Sequence, residues 1–351
     1  MKGNEAIAEA AIRYGADGYF GYPITPQSEV VEYFSAQKPE ERTGMVLLQA
    51  ESEIAAINMI YGAAGCGKRV MTSSSSPGIS LKQEGITYIA GAELPCLIMN
   101  VVRGGPGLGT IQPSQSDYFQ AVKGGGHGDY KLIVLAPSSV QEMYDFVEIG
   151  FDLAFKYRNP AMILSDGAIG QMMEKVELGE QKPRLTEQEI KEKYPWATTG
   201  KTKDRERNII TSLELDSAKM EKFNQKLVEK YKKIEENETR YEEIQCEDAE
   251  YLMIAYGTSS RICQKTVQMA RKEGIKLGLL RPITLFPFPK KRIQELASQV
   301  KGMLSVEMSA GQMVEDVKLA VNGEVPVDYY GRMGGIVPSP DEILEAVKQK
   351  I

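Results

Sequence analysis

The first half of the chain repeats one pattern, in which a short apolar run is followed by a longer stretch with helical spacing. Such alternation predicts a parallel β-sheet wrapped by α-helices. The candidate strands are residues 18–22, 45–48, 70–72, 96–102, 132–135 and 161–164, and helices are expected to begin near residues 3, 26, 53, 79, 116 and 140. Because parallel sheets collect their ligand-binding loops at the carboxyl ends of the strands, a site is expected in the segments that follow these runs.

A second, smaller unit with the same alternation covers residues 249–351. Its candidate strands are residues 251–255, 276–280, 303–306 and 325–329, followed by a final helix from Pro340. With 351 residues the chain is long enough for two α/β domains and a connection between them. We therefore predict one domain at residues 1–173 and another at residues 249–351.

Residues 174–248 break the pattern and are predicted to form a charged, partly helical connector. Lys and Glu are densely mixed from Lys219 to Glu243, which predicts a solvated helix that acts as an arm between the domains or onto a partner. Trp196, the one tryptophan, also lies in the connector. An anchor on another surface and packing against its own chain both suit an aromatic side chain in a polar segment.

Composition narrows the range of functions. The formal net charge of -6 offers no basic field for phosphate backbones, so nucleic-acid binding is not expected. No apolar run reaches the length of a membrane span, and the first five residues lack the apolar core of a signal peptide. We therefore expect no membrane association and a cytoplasmic location.

The cysteine and histidine content argues against a metal or iron-sulfur cage within this chain. The four cysteines, Cys66, Cys96, Cys246 and Cys263, show no Cys-x-x-Cys spacing, and there is a single histidine. An electron-carrying cluster would therefore have to lie on another polypeptide. The cysteines are expected to be reduced and buried.

A stiff segment, Tyr22-Pro23-Ile24-Thr25-Pro26, follows the first predicted strand. The residue before a proline is pushed out of the helical region, so Tyr22 and Thr25 are held extended. A segment of this kind can aim the Thr25 hydroxyl at a ligand. The alternative is that Thr25 is the N-cap of a helix with proline at its first position.

An acidic pair, Glu51 and Glu53, lies where the second predicted strand gives way to a helix. One interpretation is general acid–base chemistry; the other is that both carboxylates only complement the positive N-terminus of the helix. The helix behind them is rich in small residues that permit a close approach, namely Ala55, Ala56, Gly62, Ala63 and Ala64.

Arg103 ends an apolar strand and leads into a glycine-rich run at residues 104–110. A guanidinium beside glycines that admit a ligand suits a substrate carboxylate, which it can hold with two parallel hydrogen bonds. A dinucleotide-binding loop is the weaker interpretation. Gly-Gly-Pro-Gly-Leu-Gly does not fit the Gly-x-Gly-x-x-Gly spacing, and its proline lacks the backbone N–H that such loops donate to phosphate.

Four blocks, residues 22–26, 51–56, 102–107 and 280–289, occur in the order found in one family. Over residues 1–166 and from residue 250 onward, the chain resembles the alpha subunit of the 2-oxoacid:ferredoxin oxidoreductases, in particular the 2-oxoisovalerate (3-methyl-2-oxobutanoate) type. The resemblance implies an α/β fold with a pyrimidine-type thiamine diphosphate domain and a transketolase C-terminal-like domain. It also implies oxidative decarboxylation of a branched-chain 2-oxoacid to acyl-CoA and CO2, with reduction of ferredoxin.

The resemblance implies roles for particular residues. Glu53 is expected to face N1′ of the cofactor's aminopyrimidine, because a family glycine nine positions on falls at Gly62, whereas the count from Glu51 reaches Ile60. Thr25 and Arg103 are expected to face the substrate beside the thiazolium. The resemblance also implies that Tyr22, Pro23 and Ile24 lie against the cofactor.

Two further segments each allow two interpretations. His127-Gly128-Asp129 is similar to a histidine-glycine-acid feature of the family, which suggests a substrate-binding role for His127. A lone histidine is more often an ordinary turn residue. Residues 73–78, a serine-rich turn, either offer hydroxyl and backbone donors to the cofactor or simply precede a helix.

The chain has no Gly-Asp-Gly segment followed by a suitably placed asparagine, the arrangement that holds Mg²⁺ and the diphosphate in thiamine enzymes; residues 165–170 come nearest. The family design therefore implies a beta subunit that holds the diphosphate and Mg²⁺. It also implies gamma and ferredoxin-like delta subunits, [4Fe-4S] clusters on partner subunits only, coenzyme A as co-substrate and ferredoxin as acceptor.

Two alternatives remain for the function. A 2-oxoglutarate:ferredoxin oxidoreductase alpha subunit would need an added cationic group for the second carboxylate of its substrate. A non-catalytic organising subunit would use Glu53 only as a helix-terminal charge.

Overall fold

The computed structural model describes residues 1–201, 203 and 205–350, which contain twelve strands. In chain order they are β1 (Gly18–Gly21), β2 (Val46–Gln49), β3 (Val70–Ser74), β4 (Leu97–Val102), β5 (Ile133–Leu135), β6 (Ala161–Asp166), β7 (Tyr241–Ile244), β8 (Tyr251–Ile254), β9 (Leu277–Pro282), β10 (Thr284–Phe286), β11 (Gly302–Glu307) and β12 (Val327–Gly331).

Thirteen α-helices connect and cover these strands in the described part of the chain. They are α1 (Gly3–Tyr14), α2 (Ser28–Gln37), α3 (Pro39–Thr43), α4 (Glu53–Gly65), α5 (Ser76–Gly91), α6 (Val140–Tyr157), α7 (Gly167–Gln171), α8 (Glu187–Lys193), α9 (Ser217–Asn237), α10 (Gly257–Lys272), α11 (Lys290–Ala297), α12 (Met313–Val321) and α13 (Pro340–Lys350).

The strands form two sheets. The first has the order β10-β5-β6-β4-β3-β1-β2, in which every pair is parallel except β10 with β5. The second has the order β12-β11-β8-β9-β7 and is parallel except for β7 against β9. All six residues of β4 and of β6 are buried, as expected of central strands covered by helices on both faces.

The predicted α/β architecture is confirmed, and each predicted strand lies within two residues of an observed one. The helix expected near Ser116 is the weakest match, because only a short helical segment ending in the π-helix Gln120–Gly124 occurs there. Strands β7 and β10 were not predicted. Each is three or four residues long and pairs with a distant segment, so a local pattern carries little trace of them.

The connector packs against the first domain through the apolar side of α9, where Leu227, Tyr231 and Ile234 are buried. The Lys230 ammonium lies 2.9 Å from a carboxylate oxygen of Glu93. Trp196 packs against its own chain, with the Arg158 guanidinium 4.6 Å from its ring centroid. The charged arm is therefore held onto the first domain along its apolar stripe.

Buried polar contacts join the two sheet units. Gln115, between β4 and β5, donates to the carbonyl of Tyr256 at 2.8 Å and accepts from the Ser259 hydroxyl at 2.7 Å. Arg281 on β9 pairs with Glu142 on α6 at 2.6 Å. Because each partner would be left unsatisfied if the units separated, these contacts fix their relative orientation.

The four cysteines are free thiols, three of them buried and Cys66 partly exposed. Among the residues that the structure describes, none of the helices combines the length and the hydropathy needed to cross a bilayer.

Candidate functional site

Four neighbouring strands, β4, β3, β1 and β2, end at one edge of the first sheet. Thr25 follows β1, Glu53 follows β2, the serine turn at residues 73–78 ends β3, and Arg103 follows β4. Because carboxyl ends of parallel strands lie together, segments far apart in the sequence meet here. The structure therefore places Thr25, Glu53 and Arg103 at the same edge of the sheet.

Glu53 is the first residue of α4, and its neighbour Ser52 caps the helix by accepting a hydrogen bond from the Ala55 amide at 3.2 Å. The Glu53 side chain is only 6% exposed. Glu51 differs, since it is exposed and accepts from the Ser52 hydroxyl at 2.8 Å. Of the two acidic residues, only Glu53 lies in a water-poor environment.

The serine turn after β3 packs directly on Glu53. A methyl group at Gly78 would lie 2.6 Å from Glu53 Oε1 and 2.1 Å from Ser74 Oγ, so a side chain there would displace Glu53 or Ser74. The hydroxyls of Ser74 and Ser75 are buried without a hydrogen-bond partner in the described chain. Since buried polar groups are normally satisfied, these two hydroxyls are free to form a hydrogen bond with a ligand.

Arg103 is 7% exposed and joins two loops. Its Nη1 donates to the carbonyl of Thr25 at 2.9 Å, and its Nη2 donates to the carbonyl of Leu108 at 3.0 Å. Its Nε is buried and has no partner in the described chain. The guanidinium thus holds the proline-flanked loop against the glycine-rich loop.

The proline-flanked loop presents the Thr25 side chain to solvent and does not start a helix. Helix α2 begins at Ser28, after Gln27, so the alternative of Thr25 as an N-cap is wrong. Tyr22 is exposed, and Pro23 and Ile24 are half-buried at the rim of the site.

A buried network supports this loop from below. The Ser73 hydroxyl donates to Gln27 Oε1 at 2.5 Å and lies 2.7 Å from the Tyr19 hydroxyl. Gln27 and Tyr19 were not predicted as supporting residues. Single polar residues of this kind carry no sequence signal, because their role depends on which strand ends lie side by side.

His127 lies apart from these groups, in an exposed loop. The loop runs along α5, with Gly125 close to Gln83 and Gly126 close to Thr87. No hydrogen bond joins His127 to Glu53 or to Arg103 in the described chain. Its substrate-binding role stays a prediction.

Asp166 is the acidic residue of the segment that comes nearest to Gly-Asp-Gly, and its carboxylate is hydrogen-bonded within the protein. It accepts hydrogen bonds from the amides of Ala168 and Ile169 at 2.8 and 3.3 Å and from the Thr258 hydroxyl at 2.9 Å. Burial raises the pKa of this carboxyl. Within the described ranges, no group of three or more His, Cys, Asp and Glu side chains is arranged to hold a metal ion.

A cleft of about 980 Å³ opens beside Arg103 between the two sheet units. The first unit contributes the N-terminal turn of α5 and the glycine-rich loop, and the second contributes Ser309, Gln312 and Met333. No site residue had been assigned to the second domain, because nothing in the local pattern shows which loops will face the Arg103 loop.

Two known families match the two parts of the chain. The family described as pyruvate flavodoxin/ferredoxin oxidoreductase, thiamine diphosphate binding, matches residues 9–245. The family described as pyruvate:ferredoxin oxidoreductase core domain II matches residues 249–343. The fold and the first match define the class as a thiamine-diphosphate-binding α/β domain followed by a second α/β domain.

Individual relatives extend this result. Ketoisovalerate oxidoreductase subunit VorB from Methanothermobacter thermautotrophicus is 52% identical over 351 residues, covering 99% of this chain and 97% of its own. The 2-oxoglutarate synthase subunit KorA from Methanothermobacter marburgensis is 37% identical, with coverage of 99% and 97%. The chain belongs to the 2-oxoacid:ferredoxin oxidoreductase family, which confirms the resemblance seen in the four sequence blocks.

Solved structures show the same fold. The 2-oxoglutarate:ferredoxin oxidoreductase from Magnetococcus marinus, with 2-oxoglutarate, coenzyme A and succinyl-CoA bound, gives a TM-score of 0.82 at 27% identity. The match covers 99% of this chain and 64% of that chain, which is therefore the longer polypeptide. A split-gene transketolase gives a TM-score of 0.61 at 13% identity, a likeness of fold alone.

Proposed function

We propose that this chain is the pyrimidine-binding subunit of a thiamine-diphosphate-dependent 2-oxoacid:ferredoxin oxidoreductase that acts on branched-chain 2-oxoacids. The supporting observation is the buried Glu53 carboxyl, which lies against Gly78 beside two hydroxyls without partners. These groups fit the polar edge of an aminopyrimidine ring.

The chain's own groups have distinct tasks in this proposal. Thiamine diphosphate, when bound, supplies the carbon nucleophile for the 2-oxo group and accommodates the electron pair left by CO2. Glu53 holds and exchanges a proton with N1′ of the aminopyrimidine. Tyr22, Pro23 and Ile24 line the ring, and Thr25 and Arg103 orient the substrate carboxylate.

The cleft beside Arg103 supports a monocarboxylate substrate with an apolar side chain. Arg103 is the one cationic residue among the residues that line it, and the lining adds an acid, Asp117, where 2-oxoglutarate would need a second cation. Leu81, Pro106 and Met333 provide apolar surface. The relative named as a ketoisovalerate oxidoreductase subunit supports the same choice.

The rest of the catalytic centre is proposed to lie on partners. Asp166 is engaged in helix capping and interdomain contact, so a beta subunit is proposed to hold the diphosphate and Mg²⁺. Gamma and ferredoxin-like delta subunits, [4Fe-4S] clusters, coenzyme A and the acceptor ferredoxin complete the reaction. The names of the relatives, which describe subunits, support such an assembly.

The domain division at residues 173 and 248 stays a prediction; β7 lies within the connector and pairs with the second sheet. We also propose a cytoplasmic location, which the four free thiols support, since a reducing compartment keeps cysteines unpaired.

Exchange of Glu53→Gln in the complex assembled with its partners tests the proposal. CO2 release from 3-methyl-2-oxobutanoate with coenzyme A is expected to fall about 100-fold or more, because the proton exchange is lost. Glu51→Gln is the matched control and should stay within about twofold, since that carboxylate only complements a helix end. Full turnover of the Glu53 variant would instead support the organising-subunit alternative.

A further inference from the structure

Lys82, on the face of α5 that packs against α4, is completely buried. Its Nζ makes a single hydrogen bond in the described chain, a long one of 3.5 Å to the backbone carbonyl of Glu53. No carboxylate of the described chain lies within 4 Å of the amine. A lysine with so few partners is costly to bury, and a residue such as methionine would fill the same space without that cost.

The position of Lys82 is specific to the candidate site. The amine lies behind the first turn of α4, the turn that carries the Glu53 carboxyl. Glu53 is the one charged residue whose field raises the pKa of Lys82, against the larger lowering effect of burial. The anion whose field acts on this buried cation is thus the residue proposed to exchange a proton with the cofactor.

Gly78, one helical turn before Lys82 on the same face of α5, lies close to Glu53 Oε1 and to the Ser74 hydroxyl. The start of α4 thus packs on a stretch of chain that carries both the buried ammonium and serine hydroxyls without partners. With the cofactor bound, a positive charge near Glu53 would favour the arrangement in which the proton shared between Glu53 and the ring lies on N1′.

We propose that Lys82 is a positioning residue for the thiamine reaction, which fixes the first turn of α4 and supplies a buried positive charge near the Glu53 carboxyl. With the cofactor bound, Glu53 would share one proton with N1′ of the ring, and the Lys82 ammonium would keep its own charge throughout. This inference rests on the proposed function.

The test uses the complex assembled with its partners, loaded with thiamine diphosphate and Mg²⁺. The near-ultraviolet circular dichroism of the bound aminopyrimidine reports its protonation and is followed as a function of pH without substrate. In Lys82→Met, the midpoint of this transition is expected to rise by about one pH unit, because a nearby positive charge has been removed. Lys82→Gln, which is neutral but polar, should shift it in the same direction and serves if the methionine variant does not assemble.

Lys230→Met is the matched control, because Lys230 is a nearly buried lysine that pairs with Glu93 on another part of the fold. Its midpoint should equal that of the unmodified complex. An unchanged midpoint in both Lys82 variants overturns the role of Lys82. If Glu53→Gln keeps full turnover, the proposed function itself fails; if that variant is inactive while the Lys82 variants titrate normally, only the inference about Lys82 fails.

Discussion

Gly78, in the first turn of α5, lies so close to Glu53, the first residue of α4, that a methyl group on Gly78 would lie 2.6 Å from Glu53 Oε1. The two residues are 25 positions apart in the sequence, and neither the strand nor the helix pattern links them. The position of the carboxyl thus depends on the absence of a side chain at Gly78.

Gly78→Ala is therefore expected to displace Glu53 or Ser74 and to lower turnover of the assembled enzyme about 100-fold, since a shift near 1 Å at a reacting group has that order of effect. Steady-state kinetics and far-ultraviolet circular dichroism measure activity and folding separately. Gly179→Ala is the control, because a methyl group there would meet only the Tyr144 hydroxyl at 3.5 Å. Normal turnover of the Gly78 variant would contradict the tight placement of Glu53.

Arg103→Lys keeps the positive charge but loses the planar fork. If Arg103 orients the substrate carboxylate, KM for the 2-oxoacid should rise about tenfold to 100-fold, because one charge-assisted hydrogen bond to the substrate is lost. A purely structural role, through the carbonyls of Thr25 and Leu108, would lower Tm and leave KM unchanged. Arg292, which forms an ion pair with Glu243 on the second unit, provides the control: Arg292→Lys makes the same arginine-to-lysine substitution away from the site.

Gly62 lies on the exposed face of α4, and a methyl group there would meet no atom of the described chain. In the full-length chain alone, Gly62→Ala is expected to raise the free energy of unfolding by about 0.5–1 kcal/mol, because alanine favours the helix. If this face meets the proposed beta subunit, the same methyl group should weaken assembly, measured by analytical ultracentrifugation. Gln225→Ala on α9 is the control and should leave assembly intact; equal assembly of both variants would argue against docking at Gly62.

Stability should depend on pH through Lys82, because burial lowers the pKa of its amine from 10.5 to about 8. Below pH 8 both the folded and the unfolded chain carry this proton, and the cost of the buried charge is complete, about 3 kcal/mol. Between pH 8 and 10.5 the unfolded chain binds more protons at this position, so stability rises with pH and the cost disappears.

Lys82→Met should accordingly be more stable than the unmodified chain at pH 7, with a difference that shrinks from pH 8 to pH 10.5. Urea unfolding of both proteins across this range provides the measurement. A difference that stays constant with pH would show that the amine is not the cause.

The sequence alone was sufficient for the α/β architecture and for the family. Apolar runs and helical spacing are local properties, and the strands of the first sheet follow them because central parallel strands must be apolar along their whole length. The family resemblance also favoured Glu53 over Glu51, by the count to Gly62, and that assignment stays a prediction. In the structure Glu53 is buried and Glu51 is exposed, a difference that the sequence does not show.

Only the tertiary structure decided which residues surround Glu53 and Arg103. Lys82 looks like any helical lysine in the sequence, and its burial depends on the packing of α4 against α5. Likewise, the second domain lines the cleft through Ser309 and Met333, and β10 joins the first sheet. These features follow from contacts between segments that are far apart in the chain, and such contacts leave no periodic signal in the local sequence.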